Sequence, residues 1–191
     1  MRFLLLWALL LLTACAPPPA KFNATELKDV PWGRGFALTG HDGKSYRLAD
    51  FEGRAVILFF GYTQCPDVCP VTMGGLRELM AVLGDESKRV QVVFVTVDPE
   101  RDTPQLLAQY VPAFHPSFLG LYGDARATAD VAAEFKVFYR KQPPNSSGAY
   151  TVDHTAGSYV FDPAGRLRLY FRHGESPGRM AEDLRSLLAG A

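Results

Sequence analysis

The sequence carries no charge imbalance: lysine plus arginine number 20, aspartate plus glutamate 20, and the formal net charge is zero. That balance excludes a protein that holds nucleic acid through an electrostatic surface. No apolar run is long enough to cross a bilayer, since the one at residues 3–12 falls short of the roughly 20 residues a spanning helix needs. Methionine is scarce, at four with the initiator, so there is no methionine-rich metal-binding tract. Internal repeats are absent, and the length suits one domain whose core folds without covalent staples. Cysteine is scarce too, with three in the chain, and their placement organises everything else.

The first cysteine belongs to a leader. Arg2 and the short apolar run at residues 3–12 form a secretory signal peptide over residues 1–14. Leu12-Thr13-Ala14-Cys15 resembles the bacterial lipobox, which implies cleavage before Cys15 and a diacylglyceryl group on its sulfur. Residues 15–30 are expected to be the lipidated tether, with residues 16–25 proline-bearing and without hydrophobic periodicity. The domain proper is expected over residues 31–191. This places the protein on the extracytoplasmic face of a bacterial membrane, lipid-anchored on the periplasmic side. Ala16 rather than aspartate follows the cysteine, so no inner-membrane retention signal is evident.

With Cys15 carrying lipid, Cys65 and Cys69 are the thiols that remain. Export makes a disulfide between them feasible. A bridge closing so short a loop removes little unfolded-state entropy, so reactivity explains the pair better than stapling does. The apolar run at residues 55–60 predicts a buried strand ahead of them, and apolar positions from Val71 to Leu83 predict a helix behind them. Pro70 suits a first helical position, and the positive end of a helix favours thiolate over thiol. A low-pKa thiolate attacks disulfides or binds a soft metal.

The remaining pattern is α/β. Residues 36–39 and 46–48 flank Asp42-Gly43 and predict an N-terminal hairpin. Residues 90–97 read as a second buried strand, almost continuously apolar as parallel strands are. Helices are expected from Pro104 to about Val111, over residues 125–135 and over residues 177–188. Residues 118–122, 157–161 and 167–171 read as strands, and residues 141–149 as a loop. This order, with thiols after the first central strand, looks like the thioredoxin fold carrying an N-terminal β-hairpin and a helical insertion.

Cys-x-x-x-Cys lets two sulfurs converge on a disulfide or on one soft ion, Cu(I) especially, with Zn(II) also accommodated. His154 is the candidate third donor. It lies just before the first strand of the C-terminal hairpin, where thioredoxin-like proteins usually carry a cis-proline facing the cysteines; no proline occurs there. Asp153 or a backbone group would fix its tautomer. Asp98 ends the second buried strand at the edge where α/β proteins place their sites. It either tunes the thiols and the metal or, with Asp102, shapes a turn and caps the next helix. His41, His115 and His173 have no companion at ligand spacing, and Met73 fits helix packing.

Residues 61–70, Gly-Tyr-Thr-Gln-Cys-Pro-Asp-Val-Cys-Pro, closely resemble the signature of the SCO/SenC family, copper chaperones for cytochrome c oxidase assembly. Residues 97–104 and residues 152–155 match two further family segments, in the same order. The resemblance implies copper, Cu(I) and also Cu(II), held by Cys65, Cys69 and His154. It also implies delivery of that copper to the dinuclear centre of oxidase subunit II, with other copper chaperones or thiol reductants as further partners. Thr155 stands where the family usually has serine, and a lipid replaces a transmembrane anchor. The competing reading is a thiol–disulfide oxidoreductase that reduces the subunit's cysteines and carries no metal. A peroxidase on the same fold is disfavoured, because the Pro-x-x-x-Thr-x-x-Cys arrangement is missing.

Overall fold

The structure is a computed structural model that describes residues 21–190. The expected signal peptide, Cys15 and the first half of the proline-bearing segment lie outside the described residues. A short strand, β1 (Thr25–Glu26), is followed by a hairpin of β2 (Ala37–Gly40) and β3 (Ser45–Arg47). The hairpin forms where expected, with Gly43 at φ +82 in its turn, a left-handed conformation that favours glycine. Then come β4 (Ala55–Gly61), α1 (Val68–Leu83), β5 (Val90–Thr96), α2 (Pro104–Phe114), β6 (Leu119–Tyr122) and α3 (Ala125–Glu134). A small two-stranded ribbon, β7 (Tyr139–Lys141) and β8 (Val152–His154), precedes β9 (Ser158–Phe161), β10 (Leu167–Phe171) and α4 (Pro177–Leu188).

Eight strands form one sheet in the order β1-β10-β9-β4-β5-β6-β2-β3. At its centre β4 and β5 run parallel, with Ala55 opposite Val90 and Gly61 opposite Thr96. Every residue of both strands is buried, which is why each reads as a nearly continuous apolar run rather than an alternating one. Their crossover is α1, which buries Cys69, Met73, Leu76, Leu79, Met80 and Leu83 along one stripe and packs on α4. The helical insertion holds α3 and then the ribbon, where the sequence suggested only loop.

Two boundaries differ from expectation. The packed domain begins before residue 31: Thr25 and Glu26 pair with Tyr170 and Leu169, and the backbone N–H groups of Asn23 and Ala24 each donate to the buried Asp183 carboxylate at 2.8 Å. Helix α1 starts at Val68, so Pro70 is its third residue, not its first. Nothing is lost by that, because the first four N–H groups of a helix have no internal acceptor. The shift matters because it places Cys69 inside the first turn.

Candidate metal centre

The site lies at the carboxyl ends of β4 and β5, where the chain leaves β4 for α1. Asp67 precedes the helix without a side-chain cap; the Cys65 sulfur takes that place, accepting the Cys69 N–H at 3.4 Å. Cys65 is half-buried behind the exposed Gln64, Pro66 and Asp67, whereas Cys69 is fully buried. Gly61 permits this closeness, since a Cβ there would sit 2.8 Å from the Cys69 Sγ and 2.9 Å from the Phe94 ring. Both cysteines are free thiols.

His154 comes to them from the far side, as the last residue of β8. Its Nε2 is 3.3 Å from the Cys69 Sγ, and its Nδ1–H donates to the Thr155 carbonyl at 3.0 Å. A carbonyl can only accept, so Nδ1 carries the proton and Nε2 presents its lone pair to the sulfurs. The ring is held edge-on by Phe59 at 6.1 Å and Tyr62 at 5.8 Å between centroids. Burial lowers the His154 pKa, opposed by the Thr155 carbonyl, which keeps the imidazole in its neutral, ligating form. The Cys65 and Cys69 sulfurs and a His154 nitrogen all lie within 4.8 Å of one another. Two soft sulfurs and one imidazole at that separation fit a copper or zinc ion.

One expectation is corrected here, and two alternatives are resolved. Cys69 is not a low-pKa thiolate: burial pushes its thiol well up, aided by the neighbouring Cys65, and outweighs a backbone hydrogen bond at Tyr62. In the metal-free molecule it is a neutral thiol donating to His154 Nε2. Asp153 does not orient His154. It sits on an exposed face, accepting from the Gln142 side chain and lying 4.0 Å from Arg140. The orienting group is the Thr155 carbonyl, the backbone alternative. Asp98 takes the turn-shaping role: its backbone carbonyl accepts the Arg101 and Asp102 N–H groups, and its carboxylate is engaged by Arg101 Nε and by the Tyr150 hydroxyl.

Asp102, weighed in the sequence only as a turn or cap residue, does more. Its carboxylate accepts from the Thr63 N–H at 3.0 Å, the Thr63 hydroxyl at 2.6 Å and the Thr96 hydroxyl at 2.6 Å. It thereby ties the loop that carries Cys65 to the end of β5. The α2 cap is Thr103, which accepts from Leu106 N–H at 3.2 Å. The other histidines are locally bonded: His41 accepts from the Gly120 N–H, His115 contacts Ser117, and His173 contacts Thr72. Met73 packs in the core.

A sheet with a dithiol at the strand–helix junction and a third donor on the opposing arm defines a thioredoxin-like protein equipped for soft-metal or disulfide chemistry. The sequence profile of the SCO1/SenC family matches residues 24–189. A bovine relative described as a mitochondrial SCO2 homolog is 37% identical over 166 residues, covering 85% of this chain and 62% of the relative. This chain thus spans about three fifths of that relative's length. Among solved structures, copper-bound ScoI of Bradyrhizobium japonicum is 37% identical with a TM-score of 0.74, covering 80% of this chain and 97% of that one. Apo Sco1 of Thermus thermophilus is 44% identical with a TM-score of 0.77, covering 87% and 97%. The chain belongs to the SCO1/SenC family.

Proposed function

We propose that this protein is an extracytoplasmic copper metallochaperone, held at the membrane by lipid on Cys15, that binds copper through Cys65, Cys69 and His154. Its cargo serves the assembly of the dinuclear copper centre in subunit II of cytochrome c oxidase. The observation that carries the reading is the convergence of two sulfurs and an imidazole nitrogen within 4.8 Å, with the nitrogen's tautomer already set for ligation. The copper-bound state of the Bradyrhizobium japonicum relative supports the choice of metal. Leu12-Thr13-Ala14-Cys15 supports the anchor, and among the described residues no helix is long and apolar enough to cross a membrane.

Cu(I) suits the site because both sulfurs are soft and the coordination number is low. Binding displaces the Cys69 proton, so the cation takes over the position that burial otherwise reserves for a neutral thiol. With Cys65 half-exposed at the rim, a partner's thiolate can approach and take the ion by ligand exchange. A second reading rests on the same two sulfurs. They are near enough to close a disulfide, giving up two electrons and two protons, which would let the protein reduce the cysteines of subunit II.

Only thiolates ligate, so the disulfide form should lose tight copper binding. Copper uptake measured in competition with a Cu(I) chelator is expected at one ion per reduced chain. Oxidation should weaken it by at least about 100-fold, the scale on which disturbing even a ligand's support lowers affinity. Equal affinity in the two redox forms would place the metal elsewhere.

A further inference from the structure

The two donor segments are not joined by the main sheet. Cys65 lies in the loop after β4, whereas His154 ends a ribbon, β7–β8, that is a separate sheet. What crosses between them is Arg101, on the turn after β5. Its Nε donates to Asp98, and its Nη1 donates both to the Gln64 side-chain carbonyl at 3.2 Å and to the Tyr150 backbone carbonyl at 2.9 Å. Gln64 is the residue before Cys65; Tyr150 leads into β8. The guanidinium stacks on the Tyr150 ring at 3.5 Å and lies 5.6 Å from the Tyr62 ring, which itself packs on His154. The Tyr150 hydroxyl donates to the second Asp98 oxygen at 2.9 Å, and Lys141 of β7 sits 4.0 Å from the same ring.

Such a cross-link exceeds what a surface ion pair does. The Arg101 side chain is 17% exposed and Asp98 5%, so their attraction is little screened. The planar fork of arginine serves an acid, an amide and a carbonyl from fixed, separated donors while stacking on Tyr150, whereas lysine offers one compact point charge. One guanidinium nitrogen, Nη2, is buried without a partner among the described residues, which is a cost of holding the charge here.

We infer that Arg101 is the positioning residue of the metal centre: it latches the His154 arm to the Cys65 loop and so sets how long the third donor stays on the metal. The inference rests on the proposed copper site, but the latch is a property of the metal-free protein and can be read there. Loosening it does not remove a ligand; it lowers the fraction of time the imidazole faces the sulfurs, and copper escapes through the two-sulfur state.

Two measurements on Arg101→Ala test this. In the metal-free protein, amide exchange at residues 152–155 is expected to rise at least about tenfold, with β4 and β5 unchanged, as for local opening of one unit. In the reduced, copper-loaded protein, loss of Cu(I) to a chelator should speed up about tenfold, yet by less than about twofold when His154→Ala is already present, since coupled sites are non-additive. Should Arg101→Ala fail to fold, Arg101→Lys keeps the charge without the fork and should show the same pattern at about threefold. Unchanged exchange, exchange raised uniformly through the domain, or additive effects in the double variant would overturn the latch. If the wild type binds no copper at these sulfurs, the proposed function fails, and the exchange measurement alone decides the latch.

Discussion

Replacing His154 with alanine is expected to leave a protein that cycles between dithiol and disulfide but cannot retain copper. The two chemistries separate because closing a disulfide uses only the sulfurs of Cys65 and Cys69, whereas retaining the metal uses the nitrogen 3.3 Å from the Cys69 Sγ as well. Without the ring, water or a buffer ligand must fill the third position, and affinity for Cu(I) should fall at least about 100-fold, by comparison with losses on disturbing a ligand's support. The ring also fills space between Phe59 and Tyr62, so a stability loss of about 1–3 kcal/mol accompanies its removal. In cells, the variant should fail to support assembly of the copper-containing oxidase when copper is limiting, and added copper should restore part of it. Normal assembly under copper limitation would hand the function to the thiol reductase reading.

Asp102→Ala carries the largest expected effect on stability. The carboxylate is 1% exposed and serves three donors from Thr63 and Thr96, two of them hydroxyls. Removing it leaves those donors inside a site too tight to rehydrate, a loss of about 2–4 kcal/mol. For a domain of this size that lowers Tm by about 5–15 °C. The Cys65 loop should loosen with it, because Thr63 lies two residues from that cysteine. A pH dependence with a definite sign goes with the same residue. Burial raises the Asp102 pKa, and the repulsion of Asp98 adds to it, against the hydrogen bonds from Thr63 and Thr96. A carboxyl raised in the fold contributes stability that is complete below its unfolded value of about 3.9 and is lost as pH rises through its folded value. Asp102→Asn, which keeps the shape without the charge, should remove that slope from a thermal-melting series between acid and neutral pH. An identical slope in both proteins would show that folding leaves the Asp102 pKa unchanged.

The centre of the fold was legible in the chain because burial on both faces leaves a plain trace. Residues 55–60 and 90–97 are apolar runs, and the structure places both in the middle of the sheet. The hairpin was legible through Asp42-Gly43, and α1 through its apolar spacing. Strand β1 was not, since two residues carry no periodicity, and what holds it is pairing with the distant β10, beside the Asp183 carboxylate that takes the Asn23 and Ala24 N–H groups. Nor was the ribbon: β7 and β8 are three residues each and partly exposed, separated by a proline-bearing loop. The ribbon also decides between Asp153 and a backbone group as the partner that orients His154. In a loop, the neighbour of His154 looks well placed to orient it; in a strand, consecutive side chains point to opposite faces. The Cys69 thiol was misjudged. The expectation rested on the helix start, and nothing in the sequence announced that the sulfur would be fully buried there, where desolvation outweighs the backbone hydrogen bond that favours the charged form. Arg101 escaped notice because its partners, Gln64 and Tyr150, are 37 and 49 positions away.

X-ray absorption at the copper edge, on the reduced protein loaded with one equivalent of Cu(I), tests the three-donor centre most directly. The expected spectrum contains two sulfur scatterers and one imidazole nitrogen, with the nitrogen shell gone in His154→Ala and the sulfur shell gone once Cys65 and Cys69 are oxidised. Copper surrounded by nitrogen and oxygen alone in the reduced wild type would contradict a metal centre built from Cys65, Cys69 and His154.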